Sequence, residues 1–266
     1  MKYIFVDWNY FVFRSIFMWY KTRAMQPQYV FMQMLISNLR NIGLNPDDTV
    51  ILAVDSQKGS WRKEVDKDYK ANRKAIREQY AINWDEMFSS FDKLLCDLDI
   101  STPFHIIKLD KLEADDIISY GCRKFKDNRC IIISTDTDYE QLYAFPNVKL
   151  FSPISKKYKE VKNPYKIISK KIIKEATDNL TTEIMTQQDY DKRNRIVNLL
   201  SLPKEVENSI EQKLNFLPEK DWDYNFVPYK ASLTPRYMAI YEKDKIIPMK
   251  QLEKPKSRKH ESIRNK

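Results

Sequence analysis

The stretch Lys2–Asp7, "KYIFVD", is a short apolar run that stops on a carboxylate. Continuous runs of this kind suit strands buried on both faces. The same form recurs at Thr49–Asp55, "TVILAVD", and at Cys130–Asp136, "CIIISTD", and Thr102–Asp110, "TPFHIIKLD", reads as a fourth strand. Helical patterns lie between them. "YVFMQMLISNLRNIG" stops at Gly43, as a helix should, and "NWDEMFSSFDKLLCDLD" (83–99) is another. Strand alternating with helix predicts an α/β fold with a mostly parallel central sheet and flanking helices. Downstream, "NVKLFSP" and "KKYKEVKN" form a hairpin pattern. "NPYKIISKKIIKEATDN" is a helix with Pro164 in its first turn, and two more helices are split by Pro203.

Between Asp55 and Trp84 the chain is highly charged, with few apolar anchors: a solvated helix pair, or a basic arm beside a site. From about Lys250 it is a charged, apolar-poor tail expected to be disordered. Composition bounds the chemistry. The 266 residues are 42% hydrophobic and carry a formal net charge of +9, which favours a polyanionic partner such as nucleic acid. The three cysteines have no C-x-x-C spacing, which suits a reducing, cytosolic setting. Only His105 and His260 are available, which argues against a His-based triad and for a hard, oxygen-liganded metal if one is bound. Gly43, Gly59 and Gly121 are the only glycines, which excludes glycine-rich phosphate loops. No run reaches membrane-spanning length, and no signal-peptide pattern stands at the N-terminus.

In an open parallel sheet, sites form outside the carboxyl ends of the strands, where Asp7, Asp55 and Asp136 fall, with Asp138 two residues on. The segment "KLEADDIISYGC" (111–122) adds Glu113, Asp115 and Asp116 near a helix start. One reading is local: Asp110 caps the helix and Glu113 closes the pair three residues later. The other is collective, because seven clustered carboxylates must protonate or bind cations. Mg²⁺ or Mn²⁺ suits such ligands, and a pair of ions can hydrolyse a phosphodiester.

The motifs "VDWNYFVFR", "AVDS", "WRKEVDKDYKANRK", "LEADD" and "STDTDYEQL" stand in this order between residues 6 and 142. Together they resemble the flap endonuclease, or 5′-nuclease, superfamily, and within it the phage ribonuclease H branch. The resemblance implies a PIN-like 5′-nuclease fold with a helical arch at about 57–82 in an α/β nuclease domain over 1–162. It implies a helical duplex-binding subdomain over 163–249, followed by the basic tail over 250–266. It further implies a metal-dependent 5′→3′ exonuclease or flap endonuclease that removes RNA primers or 5′ flaps and leaves 5′-phosphates. Two Mg²⁺ (or Mn²⁺) ions are implied. Asp7, Asp55, Glu113, Asp115 and Asp116 match the first-metal carboxylates, and Asp136 and Asp138 match the pair reaching toward the second. Lys70 and Arg14 match catalytic cations, Tyr69 an aromatic that stacks near the terminal base, and Arg73 a phosphate contact.

The family continues with a glycine-containing acidic element and a glycine-rich helix–turn–helix. This chain has no glycine after Gly121. "KEATDN" places Glu175 and Asp178 as second-site acids, and the missing glycines put the family's potassium site in doubt. DNA, RNA–DNA hybrids or flaps are the expected substrates of a cytoplasmic monomer, with a single-strand-binding protein and a sliding clamp as implied partners and no membrane. Rival readings are a nucleic-acid structure-binding protein with weakened catalysis and a PIN-like ribonuclease.

Overall fold

The computed structural model describes residues 1–173 and 186–220. The chain order is β1 (Lys2–Asp7), α1 (Trp8–Thr22), α2 (Pro27–Asn41), β2 (Thr49–Val54), α3 (Arg62–Val65), α4 (Arg73–Glu78), α5 (Trp84–Ser101), β3 (His105–Lys108), α6 (Ala114–Lys124) and β4 (Arg129–Ile133). A 3₁₀ helix (Thr137–Ala144), β5 (Val148–Ser152), β6 (Lys157–Tyr158), α7 (Pro164–Ile173), α8 (Gln187–Val197) and α9 (Lys204–Asn215) follow.

The strands form one sheet in the order β3-β2-β1-β4-β5-β6. Every pairing is parallel except β5 with β6, the hairpin read from the sequence. Successive strand residues face opposite sides, so one apolar run feeds two cores. Ile4, Val6, Leu52 and Ile133 join α1, α2 and α5 on one face. Phe5, Ile51 and Ile132 join α6 and α9 on the other. Each fully buried aliphatic or aromatic side chain contributes about 1.5–3 kcal/mol, and this two-sided burial makes the continuous runs strands. Leu199, Leu202, Val206 and Ile210 enter the second core, so α9 and the segment before it share the core of the sheet.

Gly121 shows how closely α6 is seated. A Cβ there would lie 2.5 Å from the ring of Phe5 in β1, so only glycine allows this approach. The α6 start differs from expectation. Asp110 is not its cap; that carboxylate is exposed and pairs with Lys58 at 2.6 Å. Glu113 is the N-cap residue, and its backbone N–H donates to Asp116 Oδ2 at 2.9 Å. The turn at Leu109–Leu112 moves the helix start three residues along.

The charged segment after Asp55 forms short helices α3 and α4 joined by turns. Lys70 sits between them at φ +59°, a conformation that costs a non-glycine residue about 1–2 kcal/mol. Among the described residues no helix is long and apolar enough to cross a membrane.

Candidate active site

The strand order reverses between β1 and β4, and in such sheets the crevice beyond the carboxyl ends at that point receives ligands. Register delivers the acids to it. Asp7 lies opposite Ala53 of β2, so Asp55 leaves the sheet at the same edge. Val6 lies opposite Ile133 of β4, which brings Asp136 to the other lip.

Asp7 is 8% exposed. Its Oδ1 accepts from the Tyr10 backbone N–H at 3.1 Å, capping α1. Its Oδ2 accepts from Ser134 Oγ at 3.3 Å and Tyr139 Oη at 3.2 Å. Burial, reinforced by Asp55 and Asp136, pushes its carboxyl up to about 7. Asp55 accepts from Asn9 Nδ2 at 2.6 Å and from the Ala114 N–H at 2.8 Å. Burial raises its carboxyl against the opposing pull of Lys70. Asp136 caps the 3₁₀ helix through the Asp138 N–H at 2.8 Å, and burial together with the Asp138 charge raises it.

Across the floor the acids meet cations. Glu113 Oε2 accepts from Arg62 Nη1 and Tyr69 Oη, each at 2.9 Å, and Oε1 accepts from Lys70 Nζ. Burial works to raise this carboxyl, but Lys70 and Arg62 outweigh it and hold it below the ordinary carboxylate value. Arg62 is 1% exposed. It donates to Asp116 Oδ1 at 2.8 Å and Oδ2 at 3.1 Å, and from Nε to the Ile196 carbonyl of α8 at 2.9 Å. Asp115 Oδ1 is buried without a hydrogen-bond partner, with Arg62 Nη2 at 3.5 Å. Burial keeps its carboxyl well above the ordinary value despite Arg62.

A cavity of about 770 Å³ opens above this floor. Asp7, Asp55, Glu113, Asp115 and Asp136 line it, and Lys70, Arg14 and Arg73 stand on its walls. Three expected site residues are placed otherwise. Asp116, expected among the metal ligands, is fully buried and has both oxygens committed to Arg62, with Trp61 Nε1 also donating at 3.1 Å. Tyr69, expected to stack on a base, is 7% exposed. Its ring packs with Ile196 and Val65, and Lys70 lies 4.9 Å from its centroid. Asp138 pairs with Lys171 of α7 rather than lining the cavity. Glu175 and Asp178 lie outside the described residues.

Sequence reasoning assigned no role to Arg62, Trp61, Tyr139 or Asn9, although all four lie inside the motifs. The direct signals were proximity to acids in sequence (Asn9 beside Asp7, Tyr139 beside Asp138) and a Trp–Arg pair in an otherwise hydrophilic segment. Among the described residues no three acidic side chains are already drawn into a coordination shell. The donor set is nevertheless all oxygen, with an orphaned buried carboxylate oxygen at Asp115 and a carboxyl at Asp7 driven up by burial and, after it, by its acidic neighbours. This chemistry fits a hard divalent cation.

A model of the family described as 5′-3′ exonuclease, N-terminal resolvase-like domain, matches residues 2–190. Ribonuclease H of Enterobacteria phage T4 is 37% identical over 117 residues, covering 43% of this chain and 38% of that protein. A 5′-3′ exonuclease of Mycoplasmopsis pulmonis (strain UAB CTIP) is 31% identical over 144 residues, covering 53% of this chain and 45% of that protein. The chain therefore spans less than half the length of these curated relatives. Among solved structures, a bacteriophage T5 protein co-crystallised with metal ions superposes with TM-score 0.59 at 16% identity, over 82% of this chain and 100% of that one. A complex of T5 flap endonuclease with DNA and metal ions superposes with TM-score 0.53 at 19% identity, over 92% of this chain and 97% of that one. At these identities the likeness is one of fold. With the family model covering most of its length, the chain belongs to the 5′-3′ exonuclease family, in its N-terminal resolvase-like domain.

Proposed function

We propose that this chain is a metal-dependent 5′-nuclease that hydrolyses phosphodiesters in RNA primers or 5′ flaps and leaves 5′-phosphates. The observation that carries the reading is the convergence of Asp7, Asp55, Glu113, Asp115 and Asp136 on one cavity with Lys70 beside them. A divalent cation, Mg²⁺ or Mn²⁺, held there supplies Lewis-acid charge and a water of lowered pKa. Asp7, Asp55, Asp115 and Asp136 are the residues that would hold it; whether a second ion is held depends in part on Glu175 and Asp178.

The chain's own groups do the rest. Lys70, drawn to Glu113, carries a positive charge at the cavity and stabilises charge developing on the phosphoryl oxygens. Arg14 and Arg73 position phosphates from the walls. Asn9 and Tyr139 hold the carboxylates of Asp55 and Asp7 in place. Arg62 ties Glu113 to α8, so α8, within the 163–249 region proposed to grip duplex backbone, bears on the acidic floor. The likeness to a phage ribonuclease H supports a setting in replication within a host cytoplasm, with a single-strand-binding protein and a sliding clamp as proposed partners.

The test uses a 5′-flap duplex and an RNA–DNA hybrid with Mg²⁺, Mn²⁺ or EDTA. Cleavage that is lost in EDTA and in Asp136→Ala is the expected result. Tight binding with no cleavage in any metal would overturn the reading.

A further inference from the structure

Helix α7 turns one of its lysines inward. Ile168 and Ile172 lie on its buried face, while Lys166 and Lys170 are exposed. Lys171 shares the face of the isoleucines and is 8% exposed. Lysine is almost never so enclosed without a charged partner. Here Asp138 Oδ1 accepts from Lys171 Nζ. Nζ also donates to Thr137 Oγ1 at 3.4 Å. Both acceptors stand in the first turn of the 3₁₀ helix, against which α7 packs.

Asp138 is tied in turn to the acidic floor. Its backbone N–H donates to Asp136 Oδ1 at 2.8 Å, and Asp136 lines the cavity. A hard divalent ion takes carboxylate oxygens of this kind. An ion approaching Asp138 also meets the like charge of the ammonium already paired with it. The lysine reaches Asp138 from a helix seated by two buried isoleucines, with 10% of its side chain exposed. Its charge is therefore set by packing, in contrast to the mobile lysines of a surface.

We infer that Lys171 is a built-in counter-cation for Asp138. It keeps that carboxylate out of the donor set of the cavity, so one divalent ion binds among Asp7, Asp55, Asp115 and Asp136, and a second reaches Asp138 only by displacing the ammonium. The inference rests on the nuclease reading for what the ions do, and its test separates the two.

Mn²⁺ bound by the full chain is counted by calorimetry and by the electron paramagnetic resonance of free Mn²⁺. The unaltered chain binds one Mn²⁺, and any second at least about 10-fold more weakly. Lys171→Met keeps the length of the stem and removes the charge, and the Asp138 side chain, 42% exposed, stays in contact with water. In this variant the second step tightens at least about 10-fold, the scale on which one neighbouring charge changes a carboxylate's affinity for a proton. The first step stays within about threefold. Lys171→Arg, which keeps the charge, behaves as the unaltered chain. Adding Asp138→Asn to Lys171→Met abolishes the gain. Two Mn²⁺ bound equally tightly by the unaltered chain, a second step unmoved in Lys171→Met, or a gain that survives Asp138→Asn overturns the counter-cation. Mg²⁺-dependent cleavage of a 5′-flap duplex is read in parallel. Cleavage together with any of those results overturns the counter-cation alone. The expected binding pattern without cleavage supports the counter-cation and overturns the nuclease reading. No Mn²⁺ binding by the unaltered chain overturns both.

Discussion

Glu113 and Asp116 face a buried guanidinium, while Asp7, on the same floor, faces Asp55 and Asp136. Cations hold Glu113 below the ordinary carboxylate value, and burial among acids lifts Asp7 to about 7. The two sides of the floor thus meet their charge differently. Glu113 and Asp116 are balanced by Arg62 and Lys70, which at the same time anchor the charged arm and α8, while Asp115 beside them keeps an oxygen without a hydrogen-bond partner. On the β1 side Asp7 accepts only from the Tyr10 N–H, Ser134 and Tyr139 and has no ion-pair partner among the described residues, and that is where a divalent ion is proposed to complete the chemistry.

The sharpest way to break this contrast is to remove the internal cation. Arg62→Ala leaves Asp116 fully buried beside Glu113 with no guanidinium, and loss of one partner from such a buried set costs about 3–5 kcal/mol. Urea denaturation should show that loss. A change under 1 kcal/mol would mean that the α6 half is not balanced by Arg62.

The β1 half answers to pH. Between the ordinary value of 3.8 and about 7, the folded chain keeps a proton on Asp7 that the unfolded chain has released. Stability in EDTA therefore falls as pH rises through that window, by up to a few kcal/mol for this group. Asp7→Asn removes its share of the slope. Thermal melts from pH 5 to pH 8 check this, and parallel slopes in the two proteins would contradict it.

Gly121 joins the halves, since it sets how closely α6 approaches β1. Gly121→Ala drives a methyl into the Phe5 ring and should destabilise by about 1–3 kcal/mol, read as a lowered urea midpoint. The smallest effect is expected at Asp110→Ala. The Lys58–Asp110 pair is 71% and 72% exposed, so stability should change by less than about 1 kcal/mol. A larger loss would reinstate Asp110 as a helix cap.

How much of this was legible in the sequence follows from the range of the forces involved. The strands and their terminal acids could be read because continuous apolar runs and their stops are local patterns. The sheet order places Asp7, Asp55 and Asp136 at one edge, as the strand-end reading required. Arg62 was illegible because "SWRKEVDKDYK" has the composition of a solvated surface, and its burial depends on α6 and α8, which lie far along the chain. The burial of Tyr69 was illegible for the same reason: its ring packs with Ile196, more than a hundred residues away in sequence. The α6 cap was missed because several acids in succession offer equivalent caps, and only the turn before them decides between Asp110 and Glu113.

The most direct measurement of the central claim is Mn²⁺ binding to the full chain by calorimetry in buffers of different ionisation enthalpy, from pH 6 to pH 8. Affinity should rise with pH as Asp7 gives up its proton, with proton release below about pH 7. Asp7→Asn should weaken binding by at least about 10-fold and lose its part of that release. Undiminished Mn²⁺ affinity in Asp7→Asn, or no Mn²⁺ binding by the unaltered chain at any of these pH values, would contradict the assignment of the β1 side of the floor to a metal.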